Sequence, residues 1–177
     1  QEYNQKGANK MSYVEELFSL QDKVVFCTGG GGILMSAISE GLGKAGAKVI
    51  LTDIVPLEER VEALKKEGIE AKGYYMDAMD KKSVEEVAKK VKEEFGGIDA
   101  LLNAAGGNRE DATTSNEVSF FDLPLEPLQK VVMLNLFGGA IIPSQVFARM
   151  MIEDGREGNI INFSSMNAFR PLTRVVG

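Results

Sequence analysis

Short apolar runs recur along the chain, each closing on a glycine, an acid or a small polar residue. Between them, apolar positions fall three and four residues apart. Val24-Val25-Phe26-Cys27 is continuous rather than alternating, as in a strand buried on both faces, and it stops at Thr28 in four consecutive glycines. Ile33, Ala37, Ile38, Leu42 and Ala45 then mark a helix running to about Lys44, with Gly46 at its end. A second strand over 48–52 ends at Asp53. Pro56 suits the first turn of a helix carrying Leu57, Val61 and Leu64, which Gly68 terminates. A third strand over 71–76 ends at Asp77. Asp80 can cap the next helix, whose Val84, Val87, Ala88, Val91 and Phe95 share one face. A fourth strand over 98–103 runs into Ala104-Ala105-Gly106-Gly107, and residues 108–124 read as a long loop on the ligand side. A helix over about 126–152 is expected to bend or break near Gly138-Gly139 and Pro143. A fifth strand over 159–164 leads into Ser165 and a last loop.

Strands alternating with helices of this length predict βαβ units, and hence a Rossmann-type, doubly wound α/β domain with a parallel sheet. That domain is expected over residues 21–177. Residues 1–20 precede it, read as a polar tail over 1–10, then a short helical lead-in over 15–20 and a turn at Gln21-Asp22.

Where a strand turns through glycine into a helix, backbone N–H groups and the helix's positive end converge, which suits a phosphate. No Gly-Lys-Ser/Thr follows the glycines, so a P-loop is excluded. The dinucleotide pattern G-x-G-x-x-G is matched in part, since its third glycine falls on Leu34 or Met35. Asp53, at the second strand's end, can accept both ribose hydroxyls of an adenosine and would repel a 2′-phosphate, which favours NAD over NADP. Asp77 is placed to meet an adenine edge. Asn103 to Gly106 are small enough at the fourth strand's end for a cofactor to lie against them. Asn135 is polar within an apolar helical stretch; as a buried amide it bonds backbone or holds a water. Ser164-Ser165 stand where a doubly wound sheet presents groups to its ligand.

Composition narrows the picture. With 177 residues and 44% hydrophobic content the chain can bury a core. The 20 Lys+Arg against 26 Asp+Glu give −6 and a pI near 4.9, which argues against nucleic acid and anionic membranes as partners. Cys27 is alone, so no intramolecular disulfide forms, and a buried reduced thiol fits a cytoplasmic setting. The absence of histidine removes His-based catalysis and most zinc or non-haem iron sites, so no metal is expected. No apolar run reaches membrane-spanning length, and the start has no signal-peptide pattern.

Taken in order, Thr28 with the four glycines, Asp53, Asp77, Asn103-Ala104-Ala105-Gly106, Asn135 and Asn162-Phe163-Ser164-Ser165 resemble the short-chain dehydrogenases/reductases, over about residues 20–177. The resemblance implies a sheet of order 3-2-1-4-5. Thr28, Gly29, Gly31, Gly32 and the helix start Ile33-Leu34 would hold the turn and the pyrophosphate of NAD. Asp53 would take the ribose, Asp77 with Ala78 the adenine, and Asn103, Ala104, Ala105 and Gly106 would support the cofactor. Asn135 would hold a proton-relay water and Ser165 the substrate oxygen. Gly106-Gly107-Asn108, the loop after it and the run from Ser164 to Phe169 resemble the family's sugar-acid branch. That implies a sugar-acid substrate of the mannonate/fructuronate kind in a homo-oligomer, tetramer or dimer. A gluconate dehydrogenase or a non-catalytic NAD-binding module are the alternatives.

Three departures accompany the resemblance. Ile33 and Met35 stand where the family carries glycines, and Ala104 replaces a second Asn. The family's Tyr-x-x-x-Lys pair would fall at positions 178 and 182, whereas the sequence runs to Gly177. The last strands and helices of the full fold are likewise expected to be lacking, leaving the fifth strand at an edge.

Overall fold

The computed structural model describes residues 12–170 and 172–176. The tail over 1–10 lies outside the described residues. Helix α1 (Tyr13–Phe18) and a turn at Gln21-Asp22 lead into β1 (Val24–Thr28), with Asp22 at φ 63° making the corner. Then come α2 (Ile33–Lys44), β2 (Lys48–Asp53), α3 (Glu58–Lys66), β3 (Ala71–Tyr75), α4 (Lys81–Phe95) and β4 (Ala100–Asn103). Asp80 caps α4, its side chain accepting from the Lys82 amide at 2.9 Å. Pro56 does not sit in a helical turn: Leu57 is the N-cap of α3, so the proline merely precedes it.

The five strands form a parallel sheet of order β3-β2-β1-β4-β5, where β5 spans Asn159–Asn162. Because successive strand residues point to opposite faces, β1 feeds two cores. Val24 and Phe26 pack with Val84 and Val91 of α4 and with Phe147, Met150 and Met151; the Phe26 and Phe147 rings lie 4.2 Å apart. Val25 and Cys27 pack with Met35 of α2 and with Val61 and Leu64 of α3. Both faces of the central strands are therefore buried, and the sheet's edges carry the exposure. On β5, Ile160 and Ile161 are 37% and 51% exposed. That strand ends at Asn162 rather than residue 164 because its pairing ends with β4, at Asn103 opposite Asn162.

The long helix is realised as α5 (Leu125–Val132), a π-helical stretch (Met133–Ile141) and α6 (Ile142–Glu153). The expected interruption is thus a widening of the helix rather than a break, with Pro143 directly after the widened stretch. At 29 residues and hydropathy 1.7 this helix is long and apolar enough to cross a membrane, which corrects the sequence expectation. Asn135, Ser144 and Gln145 disguise it in the sequence by interrupting the apolar run. Phe147, Met150 and Met151 pack its end into the sheet's core, while 28% of its apolar window is buried.

Cys27 is fully buried and free, and burial pushes its thiol up to about 12. The folded protein should resist alkylation by iodoacetamide at pH 8 and react only on unfolding. Since the unfolded thiol ionises near 9.0, this group's stabilising contribution is whole below that pH and is lost progressively between about 9 and about 12. Labelling of the folded protein at pH 8 at the unfolded rate would contradict the burial.

Candidate functional site

The chain leaves β1 through Gly29 in the left-handed region (φ 68°), reachable at low cost only by glycine. Gly30 donates to the Thr52 carbonyl at 3.0 Å, laying the turn against β2, and Gly32 donates back to the Gly29 carbonyl at 3.0 Å. Gly32 is the extended N-cap of α2 and carries no side-chain cap. The helix's positive end is thus left to a ligand rather than to a serine or aspartate of the chain. Ile33 and Leu34 are 91% and 61% exposed at this lip, while Met35 is buried beneath it.

Asp53 is held firmly. One carboxylate oxygen accepts the Gly31 amide at 2.9 Å; the other accepts the Ile54 and Val55 amides at 2.7 and 3.3 Å. A carboxylate offers about four acceptor positions, so roughly one remains for a ribose hydroxyl rather than two. On the other side of Gly31 stands Arg60, whose guanidinium donates to the Gly31 carbonyl at 3.2 Å. Sequence reading missed Arg60. Its only trace there is its place on α3 beside core-facing Val61.

Asp77 forms a tight local turn, its carboxylate accepting the Met79 amide at 2.9 Å while its own amide donates to the Ser83 hydroxyl at 3.0 Å. Ala78 is buried beside it. The Thr28 hydroxyl accepts the Ala104 and Ala105 amides, each at 3.0 Å, so it ties β1 to the loop after β4. Asn103 is also buried. Its amide nitrogen donates to Ser144 at 3.0 Å and Asn162 at 2.9 Å, bracing the strand ends against α6, and its carboxamide oxygen has no partner.

Thr28, Gly29, Gly32, Asp53, Asp77 and Ala78 line one cavity of about 250 Å³. A second, of about 670 Å³, is lined by Asn108, Asn135, Ser164, Ser165 and Asn167, with Leu172, Val175 and Val176 forming a wall. That wall is pinned to the long loop: the Thr114 amide and hydroxyl donate to the Arg174 carbonyl at 2.9 and 3.1 Å. The two cavities share Ala104, Ala105 and Gly106. Gly31, Ile33, Leu34 and Asn103 line neither; the first three frame the mouth and Asn103 braces from below. Among the described residues, no three His, Cys, Asp or Glu side chains come together to hold a metal.

Ser165 opens a short 3-10 turn (Met166–Ala168), its hydroxyl accepting the Asn167 amide at 3.1 Å. That bond uses an oxygen lone pair and leaves the O–H to donate into the cavity. Asn135 is exposed on the π-helical stretch, not buried, since the apolar neighbours Val132, Met133, Leu136 and Phe137 are exposed as well. There its carboxamide takes the Gly107 amide at 2.7 Å and gives to the Gly107 carbonyl at 3.1 Å. Asn135→Ala removes both bonds, worth about 1–2 kcal/mol together. The Gly107 amide should then exchange roughly ten times faster, and the melting temperature should fall by about 2–8 °C. Unchanged exchange would show that the loop is held by something else.

The family model for short chain dehydrogenases matches residues 23–176. An uncharacterized oxidoreductase of Haemophilus influenzae is 36% identical over 89% of this chain and 59% of its own length. The uncharacterized oxidoreductase UxuB of Bacillus subtilis is 35% identical over the same shares, 89% and 59%. Among solved structures, a candidate D-mannonate oxidoreductase from Haemophilus with NAD bound superposes with a TM-score of 0.83 at 34% identity, over 92% of this chain and 61% of that one. An NAD+-bound xylitol dehydrogenase gives 0.78 at 26% identity, over 88% and 58%. The chain therefore spans about three fifths of the relatives it matches. With the parallel sheet, the glycine turn and these matches agreeing, the chain belongs to the short-chain dehydrogenase family.

Proposed function

We propose that this chain carries the cofactor site of an NAD-linked oxidoreductase that interconverts a secondary alcohol and a ketone on a sugar acid of the mannonate/fructuronate kind. One observation carries the reading: the cavity beside Asp53 and the cavity beside Ser165 share Ala104, Ala105 and Gly106. A dinucleotide must reach from an adenosine pocket to a reaction pocket, and these three small residues leave that path open. The glycine turn fits the pyrophosphate, since it brings the uncapped start of α2 to the cavity that Gly29 and Gly32 line. NAD bound to the Haemophilus structure supports the same cofactor here.

When bound, the nicotinamide supplies hydride transfer. The chain's own part is to bind and orient. Asp53 accepts a ribose hydroxyl, the uncapped start of α2 faces the pyrophosphate, and Asn135 fixes the Gly107 loop. Ser165 donates its O–H to the substrate oxygen on which negative charge develops. The second cavity's polar side chains are uncharged amides and hydroxyls, which both donate and accept as a polyhydroxylated substrate requires. The proton-transferring Tyr-x-x-x-Lys pair does not occur after Ser165 within residues 1–177, so turnover is assigned to the protein that includes it. A homo-oligomer in the cytoplasm is part of the proposal, supported by the exposed Val132, Met133, Leu136 and Phe137 of the long helix.

Calorimetric titration tests the cofactor, and NADH formation with mannonate, gluconate and related acids tests the substrate. We expect NAD to bind at least tenfold more tightly than NADP. A preference for NADP would refute the role given to Asp53.

A further inference from the structure

Two adjacent glycines of the π-helical stretch are buried, and each meets a different wall of the cavity beside Asp53. A Cβ on Gly138 would stand 2.9 Å from Met79 Cγ and 3.3 Å from the Ala78 carbonyl carbon and the Met79 amide nitrogen. A Cβ on Gly139 would stand 2.6 Å from the Ala105 carbonyl oxygen. Ala78 and Met79 line the cavity from the loop after β3, and Ala105 lines it from the loop after β4. Leu134, on the same helical stretch, lines it as well. Neither wall retreats freely. The Met79 amide is held by the Asp77 carboxylate at 2.9 Å, and the Ala105 amide by the Thr28 hydroxyl at 3.0 Å. The close approach is mirrored from the β4 loop, where a Cβ on Gly106 would stand 2.7 Å from the Asn135 carboxamide oxygen.

We infer that Gly138 and Gly139 are positioning residues for the cofactor: side by side on one helix, they set how far apart the two walls of this cavity stand. The role rests on the dinucleotide reading above and goes beyond it, since that reading gives neither glycine a part. Inside a helix, glycine is a poorer choice than alanine, so bare backbone here serves the approach to the walls rather than the helix. An added methyl group acts as a wedge. On Gly138 it presses first on the Met79 side chain, which is flexible, 43% exposed and able to swing aside. On Gly139 it presses on backbone, which has no such escape.

Calorimetric titration of the whole chain with NAD and 5′-AMP tests this, at a temperature where circular dichroism shows each variant folded. The variants are Gly138→Ala, Gly139→Ala, Met79→Ala and each glycine substitution combined with Met79→Ala. Gly138→Ala should weaken both ligands about tenfold, and in the Met79→Ala background the same substitution should cost less than about threefold. Gly139→Ala should weaken both by about tenfold or more, with no relief from Met79→Ala. Gly41→Ala is the control, since nothing lies within 4 Å of its added Cβ, and it should leave both affinities unchanged. If Gly138→Ala and Gly139→Ala instead melt higher, as alanine in a helix favours, and bind both ligands like the natural chain, the inference is overturned. It is overturned equally if Gly138→Ala costs as much with Met79 truncated as with it intact. Should Gly139→Ala not fold, the Gly138 and Met79 variants still decide the matter. Failure of the unaltered chain to bind NAD or 5′-AMP would bring down the dinucleotide reading itself, and this role with it.

Discussion

Gly29→Ala should abolish measurable NAD binding, weakening it at least a hundredfold, and should destabilise the fold by about 3 kcal/mol. Two costs combine. The left-handed φ of 68° costs a non-glycine residue roughly 1–2 kcal/mol. A Cβ there would also stand 2.6 Å from the Ala104 carbonyl oxygen and 2.8 Å from its carbon. That carbonyl has little freedom to retreat, because the Ala104 amide is tied to Thr28 and β1 pairs with β4 along Val25 to Cys27. The turn must shift instead, and it positions the start of α2 proposed for the pyrophosphate. At about 2–4 °C per kcal/mol, the melting temperature should fall by roughly 6–12 °C. Gly68→Ala is the control: φ is 78° there, but nothing lies within 4 Å of the added Cβ. It should cost only the left-handed strain of about 1–2 kcal/mol and leave binding untouched. If the two variants behaved alike in both measurements, close approach to Ala104 would not be what makes Gly29 necessary.

Thr28→Val is the second large effect expected. The substitution preserves shape and removes one oxygen, on which two backbone amides depend at 3.0 Å each. Thr28 is 1% exposed, so water cannot easily replace that acceptor. Leaving two donors unsatisfied should cost about 2–4 kcal/mol in urea denaturation. The loop shared by the two cavities should also loosen, weakening NAD at least tenfold. Thr28→Ser keeps the oxygen and should stay within about 1 kcal/mol of the natural protein. A serine variant no better than valine would show that the methyl group, not the hydroxyl, matters.

These two residues also show what was legible beforehand. Continuous apolar runs declared β1, β2 and β4, since a parallel strand buried on both faces must read that way, and the order of the sheet came out as the family resemblance implied. The need for glycine after β1 was equally plain. What Thr28 does was not legible: its partners lie at Ala104 and Ala105, and no local pattern records a bond across that separation. Arg60 escaped notice for the same reason, since its partner is a backbone carbonyl on another element. Asn135 misled because burial was inferred from the apolar residues around it, and those residues are themselves exposed. Local hydrogen-bond rules marked Asp80 correctly as a cap, for that bond spans only two residues.

The widened stretch from Met133 to Ile141 sets the azimuth of everything after it. Each residue of an α-helix advances the chain by about 100°, and a π turn, closing one residue later, advances it by less. Over its nine residues that lag accumulates into a large fraction of a rotation. It lets one continuous helix aim Asn135 at the Gly107 loop and Phe147 at the Phe26 ring. The helix thus works as a phase shifter between the ligand side and the core. Changing its residue count by one would mis-time one of those two contacts, whichever side was kept in place.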